Sequence, residues 1–132
     1  MNNQNLAIKM QELFALLNKG HTKNVITDLS VLLRKHSGNA DLLHLAALAY
    51  KADKQILEAN KYYLKSLGIK DDQPQVHNNL ANSYKLLEQF SLAEKHYNLA
   101  ISFNDKYLDA WKNLGLLHLH LVRLNDAESA FS

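Results

Sequence analysis

The sequence predicts an all-α fold, a solenoid of antiparallel helix pairs, and three observations carry that prediction. The chain repeats itself with a period of 34 residues, apolar residues recur at helical spacing inside each period, and its 132 residues include only four Gly and one Pro. Strand-rich domains need many more turn-forming residues than this. Self-similarity at a period of this size marks a stacked repeat array.

Residues 74–107, laid against 108 onward without a gap, place Leu80, Tyr84, Ala93 and Tyr97 on Leu114, His118, Ala127 and Phe131. One step back, Ala46, Tyr50, Ala59 and Tyr63 occupy the same positions, and a further step reaches Leu16, Val25 and Leu29, with Gly20 between them. The expected layout is one repeat domain over 1–132, divided near 6–39, 40–73, 74–107 and 108–132, the first unit degenerate and the last truncated.

Each unit reads as two helices. In the third, Val76, Leu80, Ala81, Tyr84 and Leu87 form one apolar face, and Phe90, Ala93, Tyr97, Ala100 and Ile101 form another after a short polar turn. Pro74 suits a first helical turn, with Asp72 just ahead of it, and Asn39 and Asp105 are placed to cap neighbouring units. Gly38 and Gly68 come after helix ends, where a left-handed residue is expected to close the last turn. Ala47, Ala59, Ala81, Ala93, Ala127 and Gly115 let helix backbones approach, while Tyr50, Tyr63, Tyr84, Tyr97 and Phe131 fill the gaps. No unit buries both faces alone, so stability must come from stacking.

The last helix is expected to begin near Leu124 and to stop at Ser132, after about two turns. Leu124, Ala127 and Phe131 should then show an apolar surface with no polar capping helix over it. The chain therefore reads as a fragment of a longer protein, and self-association through the uncapped C-terminal helix is the other use of that surface.

Several function classes are excluded. Fifteen Lys and Arg against thirteen Asp and Glu leave a net charge of +2, dispersed without a basic stripe, so nucleic acid is not the expected partner. With no cysteine there are no disulfides, thiolate zinc sites or thiol nucleophiles, and a reducing, cytoplasmic setting suits the chain. The apolar stretch Leu13–Leu17 is short and comes after Lys9 and Glu12, unlike a signal peptide, and no window approaches the ~20 apolar residues that span a membrane. His118 and His120 fall on nearly opposite sides of a helix and cannot share a metal. Gly-rich phosphate loops and nucleophile elbows are missing, so no catalytic residue, metal or cofactor is expected, and the chain is not read as an enzyme.

Trp111, Leu114, Gly115, His118, Ala127 and Phe131 together resemble the tetratricopeptide repeat signature, with His118 where Tyr is usual. His77, Leu80, Ala81, Tyr84, Ala93, Tyr97 and Ala100 resemble it again, with Asp105 in place of Pro. Ala46, Ala47, Tyr50, Ala59 and Tyr63 do so with Leu43 at the Trp position, and the first unit carries Glu12 and Leu13 at the small-residue positions. His118 and Trp111 are accordingly expected to pack in the core.

The resemblance implies a right-handed superhelix of about three and a half repeats whose leading helices line a concave groove, and a function in binding an extended peptide or partner segment there. The groove side would carry Gln75, Asn78, Asn79, Asn82 and Lys85 in the third unit, Lys112 and Asn113 in the fourth, and His44 with Lys51 in the second. Asn79 and Asn113 stand one period apart, which resembles the asparagine ladder in the repeat domain of O-linked N-acetylglucosamine transferases, where amides clamp a peptide backbone irrespective of sequence. The family's carboxylate clamp is only partly represented, by Lys112, Asn78 and Asn82, with Met10 and Phe14 at the first unit's groove positions. The alternative function, by analogy of fold alone, is the N-terminal substrate-recognition arm of a bacterial glycosyltransferase or sulfotransferase.

Overall fold

A computed structural model describes residues 2–131, with side chains through residue 128. Every regular element among them is a helix: α1 (Asn3–Asn18), α2 (Thr22–Lys35), α3 (Ala40–Ala52), α4 (Ile56–Ile69), α5 (Pro74–Leu86), α6 (Phe90–Phe103) and α7 (Leu108–Phe131). They form two compact units, Met1–Asp71 with α1–α4 and Asp72–Ser132 with α5–α7. The division falls beside the expected junction between the second and third repeats.

The helices of a pair are joined by one recurring backbone turn. Gly20, Lys54 and Glu88 all have positive φ, at 89°, 64° and 59°, and successive members are one 34-residue period apart. At each, the left-handed residue donates to the carbonyl three residues back, Gly20 to Leu17, Lys54 to Lys51 and Glu88 to Lys85, at 2.9–3.0 Å. The next residue reaches five back, His21 to Leu16, Gln55 to Tyr50 and Gln89 to Tyr84, also at 2.9–3.0 Å. This is the Schellman closure, which satisfies carbonyls a helix end would otherwise leave without donors.

The left-handed residue is not where Gly38 and Gly68 suggested. Gly68 lies inside α4, and among the described glycines only Gly20 has positive φ. Two of the connections from one pair to the next leave the helix through extended residues instead, Lys70 (φ −144°, ψ 109°) and Asn104 (φ −149°, ψ 97°), which need no glycine. Asn39 caps α3 as expected, its side chain accepting from the Leu42 N–H at 2.9 Å, and Pro74 opens α5. Asp105 serves differently from expectation: its backbone carbonyl accepts the Trp111 indole N–H at 2.7 Å, while the Asn104 side chain takes the Lys106 N–H at 3.1 Å.

No turn forms in the fourth repeat. The helix expected to start near Leu124 is the distal half of α7, which runs unbroken from Leu108 to Phe131. The residue one period beyond Glu88 is Val122, whose branched Cβ makes positive φ a severe outlier. With no second helix over it, the proximal half of α7 is open. Trp111 is half-exposed, His118 is exposed, and a Cβ built on Gly115 meets nothing within 4 Å. These three are therefore not core packing residues. Leu124 and Ala127 are exposed as expected, and the Phe131 side chain lies outside the described residues.

Within the complete pairs the small-and-large logic holds. Ala47 and Ala59 in unit 1, and Ala81 and Ala93 in unit 2, are fully buried, as are Tyr63 and Tyr97. Leu13, at the position of Ala47 and Ala81, is also fully buried, and α1 approaches α2 less closely than α3 approaches α4. Tyr50 is half-buried and stacks on Tyr62, ring centroids 5.2 Å apart and planes 5° from parallel.

Tyr63 and Tyr97 occupy the same repeat position but differ at the hydroxyl. Tyr97 donates to the Asn82 side chain; the buried Tyr63 hydroxyl has no hydrogen-bond partner among the described residues. The residue one period before Asn82 is Leu48, half-buried and apolar, which offers no acceptor. Beside Tyr63 lies the half-buried His44, ring centroids 6.0 Å apart. Burial lowers the His44 pKa below 6.5, and nearby Asp41 opposes part of that shift.

Three outcomes are expected. Lys54→Gly and Glu88→Gly remove the left-handed penalty of a side chain and raise stability by roughly 0.5–1 kcal/mol each in chemical denaturation. Removing the same hydroxyl from the two tyrosines should act in opposite directions. Tyr97→Phe loses a hydrogen bond and lowers stability by roughly 0.5–1.5 kcal/mol, whereas Tyr63→Phe deletes an unpartnered buried group and leaves stability level or higher; equal losses would mean that Tyr63 is partnered in solution. For His44 the folded pKa lies below its unfolded value of 6.5, so the unfolded chain takes up the proton first on acidification. Stability is therefore undiminished above that value and falls as pH drops through it. The loss in melting temperature between about pH 7.5 and about pH 5.5 should be smaller in His44→Gln.

Candidate functional site

Seven of the eight sequence-predicted site residues lie in unit 2, on α5 and α7, and the eighth, His44, lies on α3 of unit 1. On α5 the residues Gln75, Asn78, Asn79, Asn82 and Lys85 succeed one another at the spacing a helical stripe requires. The structure divides them by what their polar atoms already do.

Asn78 is buried, with its Oδ1 accepting from the Asn113 side-chain amide at 3.1 Å. It also bonds the Tyr107 hydroxyl, a contact that favours the phenolate but is outweighed by burial and by Asp109, which raise the Tyr107 pKa. Asn78 thus ties α5 to α7 and to the segment before it. Asn113 is half-buried, and this bond takes one N–H of its side-chain amide. Asn79 is half-buried and itself engaged. Gln75 and Lys112 are exposed.

Asn82 is held by Tyr97. Burial pushes the Tyr97 phenol up to about 12, so the hydroxyl keeps its proton and donates to Asn82 Oδ1. With its oxygen accepting from Tyr97, the half-buried amide keeps its NH₂ group as the uncommitted end. Asn82 borders a surface depression that it lines together with Lys85 and Leu86 of α5, Glu88 of the turn, Phe90 of α6 and His120 of α7. Phe90 and His120 meet there at 5.4 Å between ring centroids, tilted by 58°. No ion pair to Lys85 or Lys112 is present among the described residues.

Phe90 and His120 escaped the sequence reading for understandable reasons. Phe90 has the spacing of an α6 core residue but sits half-buried at the mouth of the turn. His120 is separated from His118, as the helical angle requires: His118 Nε2 lies 3.8 Å from Glu94, and His120 lies on Phe90. No group of three metal-ligating side chains occurs among the described residues. A further pair was missed, His77 and His96, both buried, with Nδ1 atoms 3.0 Å apart and rings stacked at 5.2 Å. The signal was available, since each continues the apolar stripe of its helix, His77 with Leu80, Ala81 and Tyr84, and His96 with Ala93 and Ala100. The pair lies in the α5–α6 core and serves packing. In unit 1, Lys51 stands one period before Lys85, and burial lowers its pKa. No helix of the described residues is long and apolar enough to cross a membrane.

No protein-family model matches the chain, and neither does any curated protein. Solved structures do. The first TPR domain of Spaghetti (RPAP3), bound to the HSP90 peptide SRMEEVD, is 14% identical and superposes with a TM-score of 0.83 over 92% of this chain and 97% of that one. The Sgt2 TPR domain from Aspergillus fumigatus gives 0.82 at 16% identity, covering 89% of this chain and 80% of its own. The Yersinia enterocolitica type III secretion chaperone SycD, in complex with a peptide of the translocator YopD, gives 0.80 at 13% identity over 90% and 96%. The fold is that of tetratricopeptide repeat domains.

Proposed function

We propose that the chain is a protein-interaction module that binds an extended partner segment, with α5 and α7 of unit 2 supplying contacts. The observation that carries the proposal is the orientation of Asn82. Its oxygen is spent on Tyr97, which leaves its amide N–H groups as the end for a partner, and the residue lines a depression that combines Lys85 with the apolar flanks of Leu86 and Phe90. A peptide backbone presents carbonyl oxygens at regular intervals, and an oriented amide donor pairs with one whatever the side chain. Asn113, with its nitrogen committed to Asn78, offers the complementary acceptor for a peptide N–H. Asn79, one period before it, belongs to the same proposed ladder.

Lys85 and Lys112 favour a segment carrying carboxylates, with affinity that weakens as salt rises. The structural neighbours give outside support: two hold peptides, SRMEEVD of HSP90 and a segment of YopD. No catalytic residue, metal or cofactor is part of the proposal.

The test is fluorescence anisotropy with a library of extended peptides, with each acidic peptide paired to its Gln-substituted form. Asn82→Asp retains the acceptor for Tyr97 and loses the outward donor, so affinity should fall roughly five- to tenfold, about 1–1.4 kcal/mol. Lys85→Ala should weaken the acidic peptides more than their Gln forms, and Lys61→Ala on α4 should change neither. Unchanged affinity in both site variants would move the site elsewhere; a library with no binder at all would reject the function.

A further inference from the structure

The depression on unit 2 sets charges of both signs beside apolar surface. Lys85 and Glu88 contribute one charge each, and no ion pair joins them among the described residues. The apolar part comes from Leu86, Phe90 and the ring of His120. Leu86 is 65% exposed. A single exposed leucine is ordinary on a protein surface. This one, however, lines the same depression as two rings that already meet each other, Phe90 half-buried and His120 exposed.

The mixture of charges decides what can enter. A charged side chain would gain from one of Lys85 and Glu88 and lose to the other. An uncharged apolar side chain avoids that conflict and removes surface of Leu86, Phe90 and His120 from water. A ring suits the site better than an alkyl chain, because it can add to the tilted arrangement that Phe90 and His120 already show. At about 460 Å³ the depression has the size of a site for one such anchor.

We infer that this depression is an anchor pocket for one aromatic side chain of the bound segment, with Lys85 pairing to a carboxylate two residues from that anchor. In an extended segment those two side chains project to the same side, about 7 Å apart. The half-buried Lys85 keeps its stem along the apolar wall while its ammonium reaches the acid, and no described ion pair competes for it. Glu88 repels a carboxylate placed at its own side of the depression. This assignment rests on the proposed peptide-binding function and adds a side-chain requirement to contacts otherwise made with backbone.

The test is fluorescence anisotropy of the full chain with an extended acidic peptide that carries Phe-x-Glu, and with the same peptide bearing Ala or Lys in place of the Phe. Ala should weaken binding roughly tenfold, and Lys at least as much. Leu86→Ala and His120→Ala, both at exposed side chains, should each weaken the Phe peptide roughly threefold or more and leave the Ala peptide unchanged. A general loss of structure would weaken both peptides alike. Leu57→Ala, at a similarly exposed leucine of α4, should alter neither. If Asn82→Asp and Lys85→Ala reduce affinity while the Phe peptide and its Ala form bind equally, the module stands and the anchor is wrong. A Lys peptide that binds as well as the Phe peptide, or equal losses on both peptides in Leu86→Ala and His120→Ala, would also overturn the anchor. If no peptide binds, function and anchor fall together.

Discussion

Each helix pair depends on one residue entering the left-handed region between its two helices. The Schellman bonds at Leu16, Tyr50 and Tyr84 direct the chain back along the helix it has just left. Only Gly20 does so without steric cost; Lys54 and Glu88 accept a penalty of about 1–2 kcal/mol. Burial beyond the turn offsets that penalty, because reversal at those two positions encloses Ala59 and Tyr63, or Ala93 and Tyr97, completely. At Val122 the balance tips the other way. The side chain is the least tolerant kind, and α7 runs through it without a break.

Packing within the pairs is set by side-chain size at one position. Ala47 and Ala81 let α3 and α5 lie close to their partner helices, and the aromatic residues opposite close the remaining space. Leu13 in α1 prevents the same approach, and the first pair is correspondingly looser. In unit 1 the first pair joins the second through a cluster of Leu6, Leu13, Val25, Leu29, Leu42, Leu45, Ala46 and Ala49.

Much of this was legible before any coordinates. The 34-residue period located the helix pairs, the buried alanines and tyrosines, the Asn39 cap and the Pro74 start, because these depend on local chemistry and helical spacing. Glycine position misled: Gly38 and Gly68 looked like left-handed closures, yet the turn needing one is set by where the chain must reverse. Trp111, Gly115 and His118 matched a packing signature faithfully, but a signature describes a residue in a complete pair, and theirs is incomplete. The candidate site was legible as a stripe of amides and lysines on α5 and α7. Which atoms of those amides remain outward was not, because that depends on partners 15 and 35 residues away in sequence.

The asparagines show why residue type alone does not identify a contact. Asn78, Asn82 and Asn113 lie on the same side of unit 2 with the same functional group, yet hydrogen bonding assigns them different roles. Asn78 is enclosed and joins α5 to α7; Asn113 has committed its donor and Asn82 its acceptor. An amide with one end anchored cannot rotate to suit either partner, so it presents a fixed polarity, donor at Asn82 and acceptor at Asn113. Under the proposed function the two amides would supply both groups that a peptide unit needs, with bonds to Tyr97 and Asn78 fixing their other ends. In unit 1 the equivalent of Asn82 is Leu48, so Tyr63 gains no partner and the second repeat offers no amide there. The proposed recognition by amides is in this way tied to the core: the buried tyrosine that completes the α5–α6 packing also takes the acceptor end of Asn82.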